Sequence, residues 1–442
     1  MNVYLETYGC QMNVYDSEII RTLLLDADFT LTGRIEDADV ILLNTCAVRE
    51  GAAQKVRSRI GTLRQRRNGE AVKIGLLGCM ASHNEGGESE IADLPVDFAV
   101  GPDSYRRLGR IIRQSVERGV KGMDVRLTSS EMYEGIEPLR AAGVNAWVVV
   151  MRGCNNFCSF CVVPYTRGRE RSRSPESVKR EVERLAEAGF VQVTLLGQNV
   201  NSYNYKGVRF ADLVDSLCGI EGLKRIRFTS PHPKDFPESL LDVMAGHPVL
   251  CRHIHLPLQA GSDRILAKMN RTYSRESYYR LVEQIRARFP DICLSTDLIV
   301  GFPGETASDF EQTVDLVRRV GFDSAYMFKY SARPGTLAVR RYLDDVPERV
   351  KTERIVRLNE LQKEISLAKN RLHIGEIQHV LIEQTFTRKS QQQIQGRNDG
   401  NKIVILPKGA HSAGDFVNAV IVDATANVLK GEITTERTER VL

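Results

Sequence analysis

The chain has 442 residues, 42% hydrophobic and 26% charged, with 61 Lys and Arg against 56 Asp and Glu, a net charge of +5. That length exceeds one ordinary core, so two or three domains are expected. No apolar run approaches the ~18 residues of a membrane span, and the opening "MNVYLETYGC" lacks the features of a signal peptide. A cytoplasmic protein is the expectation, and nine cysteines then point to metal or redox chemistry rather than to a disulfide framework.

In chain order, residues 1–120 alternate short β-rich runs ("NVYLETYG", "ADVILLNT", "VKIGLLG") with amphipathic stretches, the pattern of an open parallel α/β sheet. Residues 121–144 have no sustained period and read as a linker. From 145 to 374 six apolar runs recur ("AWVVVM", "VQVTLLG", "RIRFTS", "HIHLPLQ", "CLSTDLIVG", "AYMFKYS") with helical patterns between them. Ser174 as N-cap, Pro175 at the first helical position and Gly189 beyond the end frame one such helix. Six β/α units predict a partial (β/α)6 barrel, smaller than the usual eight. A charged helix leads out, and residues 375–442 carry short strand-like runs with Gly and Asn turns, which predict a small antiparallel β-barrel.

Cys154, Cys158 and Cys161, in "CNNFCSFC", follow the first barrel strand, where a β/α barrel places its active-site loops. Structural zinc requires a fourth ligand, and the next downstream candidates are Cys218 and His232. An iron–sulfur cluster with one iron left free suits three thiolates better. A second triplet is scattered: Cys10, Cys46 and Cys79 each stand at the exit of an apolar strand. In a parallel sheet, ligands bind beyond the carboxyl ends of the strands, so three such exits bring three thiolates together. The alternatives here are separately buried cysteines and zinc held with His83. Asn13, Asp16 and Asn44 flank these cysteines, either to hydrogen-bond the ligands or to cap helices and turns. Cys218, Cys251 and Cys293 have no partner pattern and read as structural.

"CNNFCSFC", including Phe160 before the last cysteine, resembles the Cys-x3-Cys-x2-Cys signature of the radical S-adenosylmethionine (SAM) enzymes. In that superfamily the open iron is chelated by SAM, so the missing ligand is the co-substrate. "YGCQMNVYDSE" and "NTCAVRE" resemble the amino-terminal domain of the radical SAM methylthiotransferases, which implies an auxiliary 4Fe–4S cluster on Cys10, Cys46 and Cys79. The carboxyl block resembles the TRAM domain, a small RNA-binding β-barrel. The likeness then runs end to end and implies two 4Fe–4S clusters and SAM as cofactors. It places SAM contacts at Phe160 and at strand-end residues Gln198, Asn199, Gln259, Ser262, Ser295, Asp297 and Tyr330, with adenine near "GFPGE".

"PYTRGRERSRSP" sets Arg167, Arg169, Arg171 and Arg173 two apart, which in an extended segment puts all four on one side. Beside a radical site, such guanidinium groups suit phosphate contacts. Arg388, Lys389, Arg397 and Lys402 form a second basic region.

"VTLLGQNVNSY", "FTSPHPKDF", "HLPLQAGS" and "GRNDGNKIV" resemble the subgroup acting on tRNA N6-isopentenyladenosine at position 37. The implied reaction installs a methylthio group at C2 of that adenine in the tRNA anticodon stem-loop. The alternatives are threonylcarbamoyl-adenosine, a ribosomal-protein aspartate, or a non-catalytic iron–sulfur RNA-binding sensor. An electron donor such as flavodoxin or ferredoxin, no membrane, and a monomer complete the expectations.

Overall fold

The computed structural model describes residues 1–47, 50–66, 72–82, 94–387 and 390–436. His83, Arg388 and Lys389 lie outside the described residues.

The amino-terminal part runs β1 (Asn2–Thr7), α1 (Gln11–Leu25), β2 (Thr30–Leu31), β3 (Val40–Thr45), α2 (Glu50–Arg66), β4 (Lys73–Gly78), α3 (Cys79–Ser82), β5 (Phe98–Val100), α4 (Leu108–Arg118) and β6 (Gly122–Asp124). Its six strands pair in parallel in the order β2-β1-β3-β4-β5-β6. β3 is buried at every position because both faces of the sheet are covered. Val40 and Leu42 enter the core shared with α1 and α4, whereas Ile41 and Leu43 pack with Val56 and Ile60 of α2. β6 falls within the stretch read as a linker, since three residues sufficed to extend the sheet by hydrogen bonds from β5.

The barrel follows: β7 (Asn145–Val149), β8 (Met151–Arg152), α5 (Val163–Thr166), β9 (Arg171–Ser172), α6 (Pro175–Glu187), β10 (Gln192–Leu196), the hairpin β11 (Asn204–Tyr205) and β12 (Val208–Arg209), α7 (Phe210–Cys218), β13 (Arg225–Phe228), α8 (Glu238–Gly246), β14 (His253–His255), α9 (Asp263–Lys268), α10 (Arg275–Arg288), β15 (Cys293–Val300), α11 (Ala307–Val320) and β16 (Ser324–Lys329). Six parallel strands lie as β7-β10-β13 and β14-β15-β16, joined by a bridge between Ile226 and Leu250. β7 and β16 do not pair, so the barrel is open along one flank. Ser174 caps α6 through the Ser177 amide, with Pro175 at the first position. Val149 and Leu196, at the carboxyl ends of β7 and β10, share a core with α1 and α4, which seats the first sheet against the top of the barrel.

After α12 (Leu337–Arg341), α13 (Glu348–Arg371) leads to β17 (Ile377–Gln384), β18 (Gln393–Arg397), β19 (Ile403–Pro407), β20 (Phe416–Ala424) and β21 (Val428–Thr434). These strands close in the order β17-β18-β19-β21-β20, antiparallel except for the parallel pair β19 and β21. This small barrel sits under the starts of β13–β15. Arg225 donates to the carbonyls of Arg397 and His379, and Arg227 to those of Asp399 and Asn398, at 2.7–2.9 Å. No helix among the described residues is long and apolar enough to cross a membrane.

Candidate active site

Cys10 is the N-cap of α1, Cys46 follows the last residue of β3, and Cys79 opens α3 directly after β4. β3 lies between β1 and β4, with Thr7 opposite Asn44 and Thr45 opposite Gly78, so sheet register brings the three strand exits side by side. Two glycines permit the approach. Gly9 has φ +146° and an added Cβ would lie 2.6 Å from that of Cys46. Gly78 has φ +87° and an added Cβ would lie 2.5 Å from the Thr45 carbonyl.

Asn13 serves both roles expected of it. It completes the capping box of α1, its Oδ1 accepts from the Cys10 thiol at 3.3 Å, and its Nδ2 donates to Thr45 O at 3.0 Å. Asn44 donates to Asn13 O and Ser17 Oγ, each at 2.8 Å, tying α1 to β3. The Cys10 thiol is pulled down to about 6, chiefly by its hydrogen bond with Cys46 and further by the Arg167 charge, against burial. Cys79 is raised by burial, with Arg167 opposing.

Asp16 belongs to a different structure. Wholly buried, it accepts from Arg152 Nη2 at 2.7 Å and Arg167 Nη2 at 2.8 Å, both on the barrel side. Arg152 stands two residues before Cys154 and Arg167 six after Cys161, so one carboxylate of α1 grips both flanks of the second cysteine loop.

That loop is held by β8 pairing with β9, by Cys154 N donating to Gly168 O at 3.1 Å, and by Asn270 Nδ2 donating to the carbonyls of Asn156 and Phe157 at 3.1 and 2.9 Å. Gly153, φ +79°, passes so close to the Arg169 carbonyl that a side chain has no room. Burial lifts Cys154 to about 11 and raises Cys161 further. The buried Arg271 donates from Nη1 to Cys158 Sγ at 3.4 Å. Among the described residues, no three His, Cys, Asp or Glu side chains gather at one ion's position. A cluster of several irons spaces its thiolates more widely than a single ion does.

The donor sets suit such a group. Both triplets offer only soft sulfur ligands. Around the first, Arg167 Nη1 and the Tyr105 hydroxyl are buried without hydrogen-bond partners, and two guanidinium groups share the single Asp16 carboxylate. Buried donors and an unbalanced positive charge call for an anionic acceptor.

The residues expected to touch SAM divide. Phe160 and Tyr330 pack together with Phe302, beside the "GFPGE" turn that Glu305 closes by accepting from Gly301 N and Arg354 Nη1 at 2.6 Å each. Gln259 takes φ +70°, bonding Asp297 O and Ile299 N through its backbone. Gln198 has a buried Oε1 without a partner. Asn199 accepts from His232 N at 3.2 Å and lines a cavity of about 510 Å3 with Asn155, Asn156, Asn201, Arg209 and Lys234. Ser295 Oγ lies 3.0 Å from both His253 Nε2 and His255 Nδ1, and His255 Nε2 reaches Asp297 at 3.2 Å. Ser262 is a correction: its hydroxyl is buried and spent on Asp309 at 2.6 Å, at the start of α11.

The arginine run is a second correction. Only residues 171–172 form strand, and three of the four side chains turn inward: Arg167 to Asp16, Arg171 to Asp103 and Arg173 to Glu181. Arg169 alone is exposed, 4.3 Å above the Phe157 ring on the cluster loop. Arg397 is held by Glu383 and by Asn401, while half-buried Lys402 donates to Asp323 and Asn370 at 2.8 Å each. Lys402 serves the junction between barrels, whereas the Arg397 side chain is tied within its own barrel and stays partly exposed.

Sequence reading missed Arg152, Arg271 and Asp103. One signal existed for Arg152: a lone charge in the apolar run "WVVVMRGC" requires a buried partner.

Three family models match: "Uncharacterized protein family UPF0004" over residues 2–101, "Radical SAM superfamily" over 148–317 and "TRAM domain" over 371–434. Curated relatives named tRNA-2-methylthio-N(6)-dimethylallyladenosine synthase match nearly the whole chain. The Porphyromonas gingivalis protein is 46% identical, covering 98% of this chain and 94% of its own length. That of Azobacteroides pseudotrichonymphae is 46% identical over 97% and 96%, and that of Bacteroides thetaiotaomicron 42% over 97% and 95%. Two solved structures share the fold. The radical SAM methyltransferase TsrM of Kitasatospora setae, with cobalamin and a [4Fe–4S] cluster bound, has TM-score 0.57, 17% identity, and covers 76% of this chain and 74% of its own. The cobalamin-dependent radical enzyme OxsB has TM-score 0.54, 12% identity, and covers 83% and 62%.

Proposed function

We propose a function from one premise: this chain belongs to the radical SAM methylthiotransferases, the family of the tRNA-2-methylthio-N6-dimethylallyladenosine synthases. It installs a methylthio group at C2 of N6-isopentenyladenosine beside the anticodon of tRNA. The observation that carries this reading is the pair of cysteine triplets, built on separate domains and locked together by Asp16.

Cys154, Cys158 and Cys161 would hold one 4Fe–4S cluster, and Cys10, Cys46 and Cys79 the other. With SAM bound, these groups supply the radical chemistry that an unactivated aromatic C–H requires, and the sulfur and methyl to be inserted. The chain's own residues seat and shield them. Arg271 donates to Cys158; Cys46, Cys79, Cys154 and Cys158 are buried while Cys10 and Cys161 stay partly open; and Gln198 Oε1 offers an acceptor with no protein partner. Phe160, Tyr330 and the "GFPGE" turn give an apolar shelf for adenine.

The polar cavity beside the cluster loop, rimmed by Arg209 and Lys234, suits a nucleotide, and exposed Arg169 suits a phosphate. Arg388 and Lys389 would add backbone contacts from the TRAM barrel. We further infer work in the cytoplasm, where tRNA is found, with a small electron carrier such as flavodoxin or ferredoxin as donor, and a monomer as the working unit.

The test is a competition, under one set of anaerobic conditions, among prenylated tRNA, unprenylated tRNA, threonylcarbamoylated tRNA and the ribosomal protein. Methylthiolation of the prenylated tRNA alone is expected. Preference for any other substrate would refute the assignment, and absence of 5′-deoxyadenosine would return the chain to a non-catalytic sensor.

A further inference from the structure

We propose that Arg167 is a positioning residue for the amino-terminal cysteine site. From its loop in the barrel domain it donates to, and sets a positive charge against, the cluster held by Cys10, Cys46 and Cys79, and so raises that cluster's reduction potential. The inference rests on the reading that a cluster occupies this site.

Arg167 is 3% exposed, and Asp16 and Arg152 are 0% and 1% exposed, so the triad has no solvent to screen it. Arg167 spends Nη2 on Asp16 Oδ2, while its buried Nη1 has no well-formed hydrogen bond and the guanidinium faces the Cys79 thiol. Arg152 takes the other carboxylate oxygen and stacks its guanidinium 5.0 Å from the Tyr133 ring. The neighbouring Arg171 is met by Asp103, and its Nη1 donates to the Arg167 carbonyl at 2.8 Å, which fixes the loop. Three guanidinium groups (Arg152, Arg167, Arg171) thus face two carboxylates (Asp16, Asp103), leaving one buried positive charge for the sulfur ligands to meet. Such a charge is costly unless an anion meets it. α5, whose C-cap is Arg167, packs against α3, which Cys79 opens, so the guanidinium lies at the cysteine site. The Tyr105 hydroxyl, buried and unpartnered in the field of the same Arg167 and Cys79, is a second waiting donor.

An anionic cluster on those thiolates supplies the missing charge and the acceptors. Hydrogen bonds to sulfur and nearby charge set the potential of such a group. Because reduction adds negative charge, a fixed cation favours the reduced form. Arg167 comes from the loop that follows Cys161, so the barrel contributes to a site whose ligands all lie in the other domain.

The test uses the full-length chain with Cys154, Cys158 and Cys161 changed to Ala, so that one cluster is observed. Iron and sulfide are counted first, and the midpoint potential is then measured by an electron paramagnetic resonance titration. Arg167→Gln should lower it by roughly tenfold in the reduction equilibrium, ~59 mV for one electron. Asp16→Asn, which frees the guanidinium charge and keeps the side-chain shape, should raise it. Arg169→Gln should leave it unchanged.

Opposite signs are what a charge effect requires. Unchanged potentials, or shifts of the same sign in Arg167→Gln and Asp16→Asn, would overturn the proposal and make the triad a purely structural clamp. If Arg167→Gln fails to load iron, the sign found for Asp16→Asn decides. Absence of iron in the parent protein would instead remove the premise.

Discussion

Cys154, Cys158 and Cys161 fall within eight consecutive residues, whereas Cys10, Cys46 and Cys79 span seventy. The first set is shaped by one loop, pinned by Gly153, by β8 and β9, and by Asn270. The second exists only once three strands are in register, with Gly9 and Gly78 letting their exits close. Two routes, local and topological, yield the same unfinished trio of sulfur ligands. The local one leaves its mark in spacing; the topological one leaves it in the repeated position of a cysteine at a strand exit. The two are mechanically joined by Asp16, so neither site is independent of the other's domain.

The largest expected effect separates their roles. Cys158→Ala should abolish both reductive cleavage of SAM to 5′-deoxyadenosine and methylthio insertion. Cys10→Ala should abolish insertion and leave the cleavage measurable by chromatography of the nucleoside product. Methylthiolated RNA from the Cys10 variant would break the division of labour.

Next in size is the joint between the sites. Asp16→Ala leaves two buried guanidinium groups without their carboxylate, a loss of about 3–5 kcal/mol for a broken buried pair. A lowered urea midpoint should report it. A midpoint equal to that of the parent would mean the triad does not hold the domains together.

Acid should then distinguish the barrel from its surroundings. His232, whose Nδ1 accepts from Lys234 N at 3.3 Å, is held down to about 2 by burial first and by Arg271 and Lys234. Burial likewise holds His253 well below the ordinary range. A folded value below the unfolded one means stability is complete above the unfolded pKa of ~6.5 and is lost as pH falls through it. Between pH 7 and 5.5 the loss should be roughly 1 kcal/mol per histidine. His232→Asn should flatten that dependence, and an unchanged slope would show the imidazole does not stay neutral.

The smallest effect contrasts the two basic regions. Arg169→Ala should weaken tRNA binding modestly and reduce the salt slope by about one, as loss of a phosphate contact does. Lys402→Ala should leave the slope unchanged and lower thermal stability, because its ammonium is occupied by Asp323 and Asn370. A reversed pattern would restore the original reading of the carboxyl-terminal tip.

That reading failed for a physical reason. The alternation of arginines from 167 to 173 is visible in sequence, but their direction is set by carboxylates elsewhere. Asp16 lies 151 residues from Arg167, and Asp103 lies 68 from Arg171. Lys402 meets Asp323 across 79 residues. Ser262 looked like a ligand contact because it ends a strand-like run, yet Asp309, 47 residues on, claims its hydroxyl. What was legible depends on backbone periodicity: parallel strands, the capped helix at Ser174, and cysteines at strand exits. What was not legible depends on long-range charge pairing, which leaves no period. Arg271 belongs to the same class, since nothing near it announces the Cys158 thiol 113 residues away.

The central claim is that two separately built cysteine sites each take a four-iron cluster, and metal counting tests it most directly. After anaerobic reconstitution, the full chain should hold about eight irons and eight sulfides. The protein with Cys154, Cys158 and Cys161 changed to Ala should hold about four, and so should the one with Cys10, Cys46 and Cys79 changed. Zinc at either triplet, or loss of all iron from both variants as for one shared cluster, would contradict the account.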